Sequence, residues 1–258
     1  MHVWALFDIQ EGIANQIENV MNNLSGRNVI VIGGTSGIGL ATACQAQESG
    51  ANVRAVGRSK ERVDALSKSY PEIEFSCLDT HDTPALNKFL ESGTPVHHVV
   101  SAATGGHRTI APFMDQSEDQ FREAFGKFWG YCNVVRQCVP HLANDGSITL
   151  VSGTPARKCN PGMSSISCVG AAVEALTRAL ALELAPLRVN VVAPGLIDTA
   201  MFDHFGENKT AIFDQMSQNI PLKRVGKAEE VASAIIHTLC NGYMTGTTID
   251  VDGGTLLP

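Results

Sequence analysis

The sequence has no Cys-x-x-Cys pair, no block of basic residues and no long apolar run, and each absence removes a class of function. Its seven cysteines, Cys44, Cys77, Cys132, Cys138, Cys159, Cys168 and Cys240, are spread singly and odd in number. That pattern points to free or buried thiols in a reducing compartment, not to a disulfide framework. Nineteen Lys and Arg stand against 26 Asp and Glu, a net charge of −7. The concentrated basic face that a phosphate backbone requires is missing, so no nucleic-acid partner is expected. No membrane is expected either, because no apolar run approaches spanning length. The opening Met1–Phe7 has no basic start and too short an apolar stretch for a secretory signal. A cytoplasmic location follows as the expectation. The adjacent His97 and His98 fall on a predicted strand and point to opposite faces, so no metal site is expected.

What is present is ordinary globular composition, 44% hydrophobic with 24 glycines, over 258 residues. That length suits one well-buried domain. Short Val- and Ile-rich runs predict strands at 28–32, 52–56, 73–77, 96–101, 147–151, 188–193 and 247–251. Between them, longer periodic segments predict helices at 36–49, 60–69, 83–91, 117–142, 164–184 and 228–239. Such alternation implies right-handed crossovers and a single doubly wound parallel sheet of about seven strands, with helices on both faces. Residues 1–25 precede this rhythm and carry Ile13, Ile17, Val20, Met21 and Leu24 at helical spacing, which predicts an added, packed helix before a domain at 26–258. The segment from Leu196 to Leu222 mixes Phe202, Phe205, Phe213 and Met216 with polar residues. It reads as a flap over a pocket or as a surface helix.

Gly33-Gly34-Thr35-Ser36-Gly37-Ile38-Gly39 follows the first strand and opens the first helix. Glycines there permit a tight turn and let backbone N–H groups approach a pyrophosphate at the positive helix end. The second strand ends where a dinucleotide's adenosine ribose would lie. A carboxylate there would bind a 2′-hydroxyl, but the sequence has Gly57-Arg58-Ser59-Lys60. Arg58 can fork onto a 2′-phosphate, so NADP(H) is the expected cofactor. Asp79, beyond the third strand, is placed to bond the adenine amino group or to cap a nearby helix.

With these motifs the chain resembles the short-chain dehydrogenase/reductases over residues 26–258, and hence a Rossmann-like fold. Gly33, Gly37 and Gly39 match the family's Gly-x-x-x-Gly-x-Gly spacing, and Leu78-Asp79-Thr80 resembles its adenine-contacting segment. Ala102 and Ala103 follow the fourth strand. Arg188 through Pro194 and Gly195, then Ile197 and Thr199, resemble the segment that cradles the nicotinamide. Asp250-Val251-Asp252-Gly253-Gly254 resembles the closing strand and turn. The resemblance implies cofactor contacts from Gly33, Thr35, Ser36, Gly37, Ile38, Gly39, Arg58, Asp79, Thr80, Ala102, Ala103, Pro194, Gly195, Ile197 and Thr199. It also implies a homodimer or homotetramer built on the two long helices.

The same resemblance implies a Tyr, a Lys four residues later, a Ser and an Asn as catalytic groups. Ala171 through Thr177 resembles the stretch that follows the family's Lys, and counting back from Ala171 puts Ile166 at the Tyr position and Gly170 at the Lys position. Gly153, after Ser152, stands at the Ser position and Lys127 at the Asn position. Reduction of a carbonyl makes an alkoxide that needs a proton and an oxyanion stabiliser, and Ile166 supplies neither. Three readings remain open. The first is an atypical oxidoreductase acting on a carbonyl, quinone or iminium-type, apolar small molecule. Lys127 would be its acid, with a pKa depressed by the pocket, and Ser152 its helper. The second is a non-catalytic NADP(H) or small-molecule binder. The third is a non-redox isomerase or cyclase on the same scaffold.

Overall fold

The computed structural model describes residues 24–92, 95–105 and 109–258. The helix expected in the first 25 residues lies outside them, save its end at Leu24 and Ser25; Leu24 is fully buried. Strands β1 (Asn28–Ile32), β2 (Asn52–Gly57), β3 (Glu74–Cys77), β4 (Val96–Ser101), β5 (Leu142–Val151) and β6 (Arg188–Pro194) are six of the seven in the main sheet. Two-residue strands β7 (Ile197–Asp198) and β8 (Gly226–Lys227) pair with each other, and β9 (Thr248–Val251) completes the sheet. The order is β3-β2-β1-β4-β5-β6-β9, parallel throughout. Helices α1 (Gly37–Glu48), α2 (Lys60–Ser69), α3 (Thr83–Glu91), α4 (Glu118–Cys138), α5 (Ser164–Glu183), α6 (Lys209–Ser217) and α7 (Ala228–Cys240) occupy the crossovers and the closing segments.

The alternation of β1 shows how the sequence makes two cores. Val29 and Val31 join Ala43 and Ala46 of α1 and Val231 and Ile235 of α7 on one face. Ile30 and Ile32 join Leu86 and Leu90 of α3 and Tyr131 and Val134 of α4 on the other. Successive side chains of a strand point to opposite faces, so a strand covered on both sides must be apolar at every position. Each such side chain contributes about 1.5–3 kcal/mol by leaving water.

Helix α4 starts sharply because Ser117 and Gln120 form a reciprocal cap, with Oγ accepting from Gln120 N–H at 3.2 Å and Oε1 from Ser117 N–H at 2.9 Å. It stops at Cys138, before the expected Leu142. Pro140 lacks an N–H and turns Val139–His141 into a 3-10 turn, so β5 begins at Leu142, earlier than its apolar run. One expectation needs correcting: Ser164–Glu183 is long and apolar enough to cross a membrane by length and composition. Half of it is buried inside the body, with Val169, Val173 and Ala181 among its buried residues. It is a core helix here.

His97 and His98 take separate partners. His97 Nδ1 accepts from the Asn28 N–H at 2.9 Å, and His98 Nδ1 shares a hydrogen bond with Ser147 Oγ at 2.8 Å. Burial pushes the His98 pKa down to about 3, so the ring stays neutral.

Strand order reverses between β1 and β4, and the loops leaving their C-terminal ends part there. That is the general position of a ligand crevice in an open α/β sheet.

Candidate functional site

A cleft of about 470 Å³ opens at that switch point. Its size is ordinary for a small-molecule or cofactor site. The glycine loop forms one wall. Gly33 has φ +81°, and a Cβ there would meet Ala103 N at 2.6 Å; a Cβ on Gly39 would meet Gly33 O at 2.1 Å. Neither position has room for any other residue. Gly57, at the end of β2, has the same constraint from Thr35, whose Oγ1 lies 2.1 Å from where a Cβ would sit.

The N-terminus of α1 faces this space. Ser36 makes no side-chain cap bond, and the first turn contains no acidic residue. Its leading N–H groups therefore have neither a capping side chain nor a competing carboxylate, an arrangement that suits an anion. The residues present thus fit the pyrophosphate of a dinucleotide. Thr199 closes the loop from above, its methyl 3.1 Å from where a Cβ on Gly37 would be.

At the far end of the cleft the lining includes Arg58 and Ser59, with Arg62 one turn into α2. Arg58 is exposed, and its Nη2 donates to the Gly105 carbonyl across the mouth at 2.8 Å. Asp79 lines the cleft and its Oδ1 accepts from the His81 N–H at 2.9 Å. Of the two roles weighed for Asp79, the cap of α3 belongs to Asp82, which accepts from Ala85 N–H at 3.1 Å. Thr80 also lines the cleft, and its carbonyl accepts from Asn133 Nδ2 at 3.1 Å, which ties this segment to α4.

The cleft brings together the expected Gly33, Thr35, Ser36, Gly37, Ile38, Gly39, Arg58, Asp79, Thr80, Ala102, Ala103, Thr199 and Lys127. Pro194, Gly195, Ile197 and Ser152 do not line it. Gly195 instead packs against Asp252, whose Cα would be 2.8 Å from an added Cβ, and Ile197 is buried in the short β7.

Ser152 uses its hydroxyl at the end of β5. Its hydroxyl donates to Glu174 Oε1 at 3.1 Å, and both residues are buried. Glu174 also pairs with Arg157 Nε at 3.3 Å, and Arg157 Nη1 reaches Asp250 at 2.9 Å. This chain of charges fastens the end of β5 to α5 and β9. The Ser152 hydroxyl serves it and not the cleft.

Lys127 is 6% exposed, which is unusual for a lysine and marks it as an inward residue and not a solvated one. Its Nζ donates to the Ser152 carbonyl at 3.4 Å and lies 5.4 Å from the Tyr131 ring centroid. Tyr131, Arg62, His81, Gly105 and Met201 also line the cleft and were not singled out from sequence. Tyr131 had a signal available: four residues beyond Lys127, it shares that residue's helix face. On α5, Ile166 is buried and Gly170 lies against the Thr154–Ala156 turn, with Ala156 Cβ 3.0 Å from an added Cβ.

The long segment after β6 forms a 3-10 helix at Ala200–Asn208 and then α6. Met201 reaches the cleft, while Phe202, Phe205 and Phe213 cluster among themselves at centroid distances of 5.4–6.4 Å. Both halves of the earlier reading therefore have a counterpart, a cleft-facing start and an ordinary helix behind it.

A sequence profile described as enoyl-(acyl carrier protein) reductase matches residues 33–255. The short-chain dehydrogenase/reductase malC of Malbranchea aurantiaca is 30% identical, over 91% of this chain and 96% of its own. The chain belongs to the short-chain dehydrogenase/reductase family. A solved structure described as the malC reductase/Diels-Alderase superposes with a TM-score of 0.82 at 29% identity, covering 93% of this chain and all of that one. An NADPH-bound short-chain oxidoreductase from Pseudomonas aeruginosa PAO1, described as containing an atypical catalytic center, gives 0.82 at 30% identity. The match covers 90% of this chain and 97% of that one.

Proposed function

We propose that this family member is an NADP(H)-dependent oxidoreductase that reduces a carbonyl, quinone or iminium-type small molecule through a non-standard active site. The observation that carries the reading is the inward, buried ammonium of Lys127 at the wall of a cleft that also holds the glycine loop and Arg58. The NADPH-bound relative with an atypical catalytic center supports it by kinship.

In this reading bound NADPH supplies the hydride. Gly33, Gly37 and Gly39 keep the loop low enough for the backbone N–H groups of α1 to hold the pyrophosphate. Thr35, Ser36 and Ile38 carry those amides. Arg58 holds the 2′-phosphate, Asp79 and Thr80 the adenine, Ala102 and Ala103 the adjoining ribose, and Thr199 caps the phosphates. Pro194, Gly195 and Ile197, which do not line the cleft themselves, would act on the nicotinamide end only by fixing the chain that leads to Thr199. With a carbonyl or quinone substrate, Lys127 would stabilise the developing oxyanion and deliver a proton to it, whereas an iminium becomes a neutral amine on taking the hydride and needs neither. Ser152 assists through its carbonyl, which accepts from Lys127 Nζ.

Arg58→Ala is expected to weaken NADPH about 10–100-fold, since a charge-assisted hydrogen bond contributes about 1.5–3 kcal/mol. NADH, which has no 2′-phosphate, should bind nearly as before. Fluorescence titration with both cofactors checks this, and equal losses for the two would contradict the assignment.

The family's Tyr and Lys cannot be restored by substitution alone. Ile166→Tyr with Gly170→Lys is expected to leave NADPH oxidation no faster and to lower the thermal midpoint. A side chain at residue 170 would press on the Ala156 turn, with Ala156 Cβ 3.0 Å from the new Cβ, and overpacking of this kind costs about 1–3 kcal/mol.

Assembly as a homodimer or homotetramer through the outer faces of α4 and α5 accords with the exposure of Trp129 and Leu182, 55% and 83%. An apolar substrate accords with Met201 at the cleft.

The reading is tested by following NADPH oxidation against a panel of quinones, carbonyls and iminium compounds, with binding read from NADPH fluorescence. Turnover with at least one class is expected. Tight NADPH binding with no oxidation across the panel would favour a non-catalytic binder. A second reading, cyclisation without redox change, has one observation in its favour, the relative described as both a reductase and a Diels-Alderase. Product formed with NADPH unconsumed would favour that one.

A further inference from the structure

We propose that Tyr131 is a positioning residue for Lys127, its aromatic face holding the ammonium at the cleft wall. The inference rests on the reading of Lys127 as the proton-handling group. Lys127 and Tyr131 stand four residues apart on α4 and so share one face of the helix. Tyr131 is 1% exposed, and its hydroxyl donates to the Val151 carbonyl at 3.1 Å, which fixes the ring at the end of β5. The Lys127 ammonium lies 5.4 Å from that ring's centroid, within the range at which a ring face attracts a cation. Its hydrogen bond to the next carbonyl, that of Ser152, is long at 3.4 Å.

Two glycines complete the seat. Gly105, at φ +80°, brings bare backbone against Lys127, so close that a Cβ there would be 2.8 Å from Lys127 N. Gly130 leaves the neighbouring helix position without a side chain and has Thr80 Oγ1 2.8 Å from where a Cβ would lie. Gly105 thus abuts the root of Lys127, and the Tyr131 ring lies at its ammonium end.

Among the described residues, several ionisable groups neighbour Lys127 on α4, line the same cleft or stand behind the Ser152 that it bonds. They are Glu123 one turn earlier on α4, His81 beside Gly126, Glu174 with Arg157 behind Ser152, Asp79, and Arg58 on the Gly105 carbonyl. All of them act in wild type and in ring variants alike. A change confined to the electron density of the ring therefore isolates its part.

A general acid must be protonated to work, so turnover fails as pH rises through its pKa. A ring face favours the charged form, and weakening that face moves the alkaline limb to lower pH. The experiment replaces Tyr131 with phenylalanine and then with mono-, di- and trifluorinated phenylalanines of nearly the same shape. Tyr131→Phe sets the baseline, since it keeps the ring and loses only the hydroxyl. Thermal midpoint and NADPH affinity are followed in each variant, and Lys127→Ala runs in parallel.

The expected result is a stepwise shift of the alkaline limb of kcat to lower pH with each fluorine, about one pH unit in all, at constant NADPH affinity. A limb that stays fixed across the series, while Lys127→Ala removes turnover, overturns the role of Tyr131 and leaves Lys127 standing. Turnover intact in Lys127→Ala overturns the reading of Lys127, and the inference with it.

Discussion

Replacing Lys127 with alanine is expected to lower kcat for NADPH oxidation by about 10²–10⁴-fold, the range a positioned general acid contributes. NADPH should still bind, because the phosphate cradle and Arg58 lie on other elements. The size of the effect follows from where the side chain is. A lysine that is only 6% exposed acts in a medium where its charge is weakly screened, so its loss is felt strongly in the transition state. Lys127→Arg keeps the charge but not the shape, and should recover only part of the rate, because a planar guanidinium cannot take the seat of a compact ammonium. A KM-only effect would mean that Lys127 binds substrate without assisting the chemistry.

Gly39→Ala is expected to weaken NADPH by more than about 100-fold. The added methyl would meet Gly33 O at 2.1 Å and Gly33 C at 2.7 Å, and both are backbone atoms with no flexible end to swing aside. Gly33 cannot retreat, because it is held at φ +81° with Ala103 directly behind it. The loop must therefore open, which withdraws several charge-assisted N–H contacts worth about 1.5–3 kcal/mol each. Gly242→Ala is the matched control, since a methyl there meets nothing within 4 Å. Fluorescence titration with NADPH compares the two, and equal affinities would show that the loop does not cradle the phosphates.

These two predictions differ in how far the sequence alone could reach. The glycine loop was legible because its requirement is local: a tight turn between an apolar run and a helix start leaves its mark in neighbouring residues. Arg58 was legible for the same reason, standing where β2 must end. The sheet was legible because strands buried on both faces are apolar throughout, as Val29 to Ile32 are.

Lys127 was only half legible. Its place on α4 could be counted, but its burial depends on Gly105, Tyr131 and the end of β5, which the fold brings together from distant sequence. The partner of the Ser152 hydroxyl was not legible, because Glu174 lies 22 positions away and no local pattern announces its burial. The end of α4 misled because its apolar rhythm runs on through Leu142, whereas Pro140 had already ended the helix. Ser164–Glu183 shows the converse, an apolar helix long enough for a membrane whose packing alone identifies it as core.

The central claim is that a hydride leaves the bound cofactor for a small molecule. It is tested most directly with NADPH carrying deuterium at the transferable position of its nicotinamide, given to wild-type protein with the substrate class that the panel selects. The account predicts, for a carbonyl or iminium substrate, one deuterium on the reduced carbon. For a quinone, whose O–D exchanges with water, it predicts a primary isotope effect on NADPH oxidation instead, and with a carbonyl or quinone turnover collapses in Lys127→Ala. Unlabelled product formed with the cofactor left reduced would contradict it.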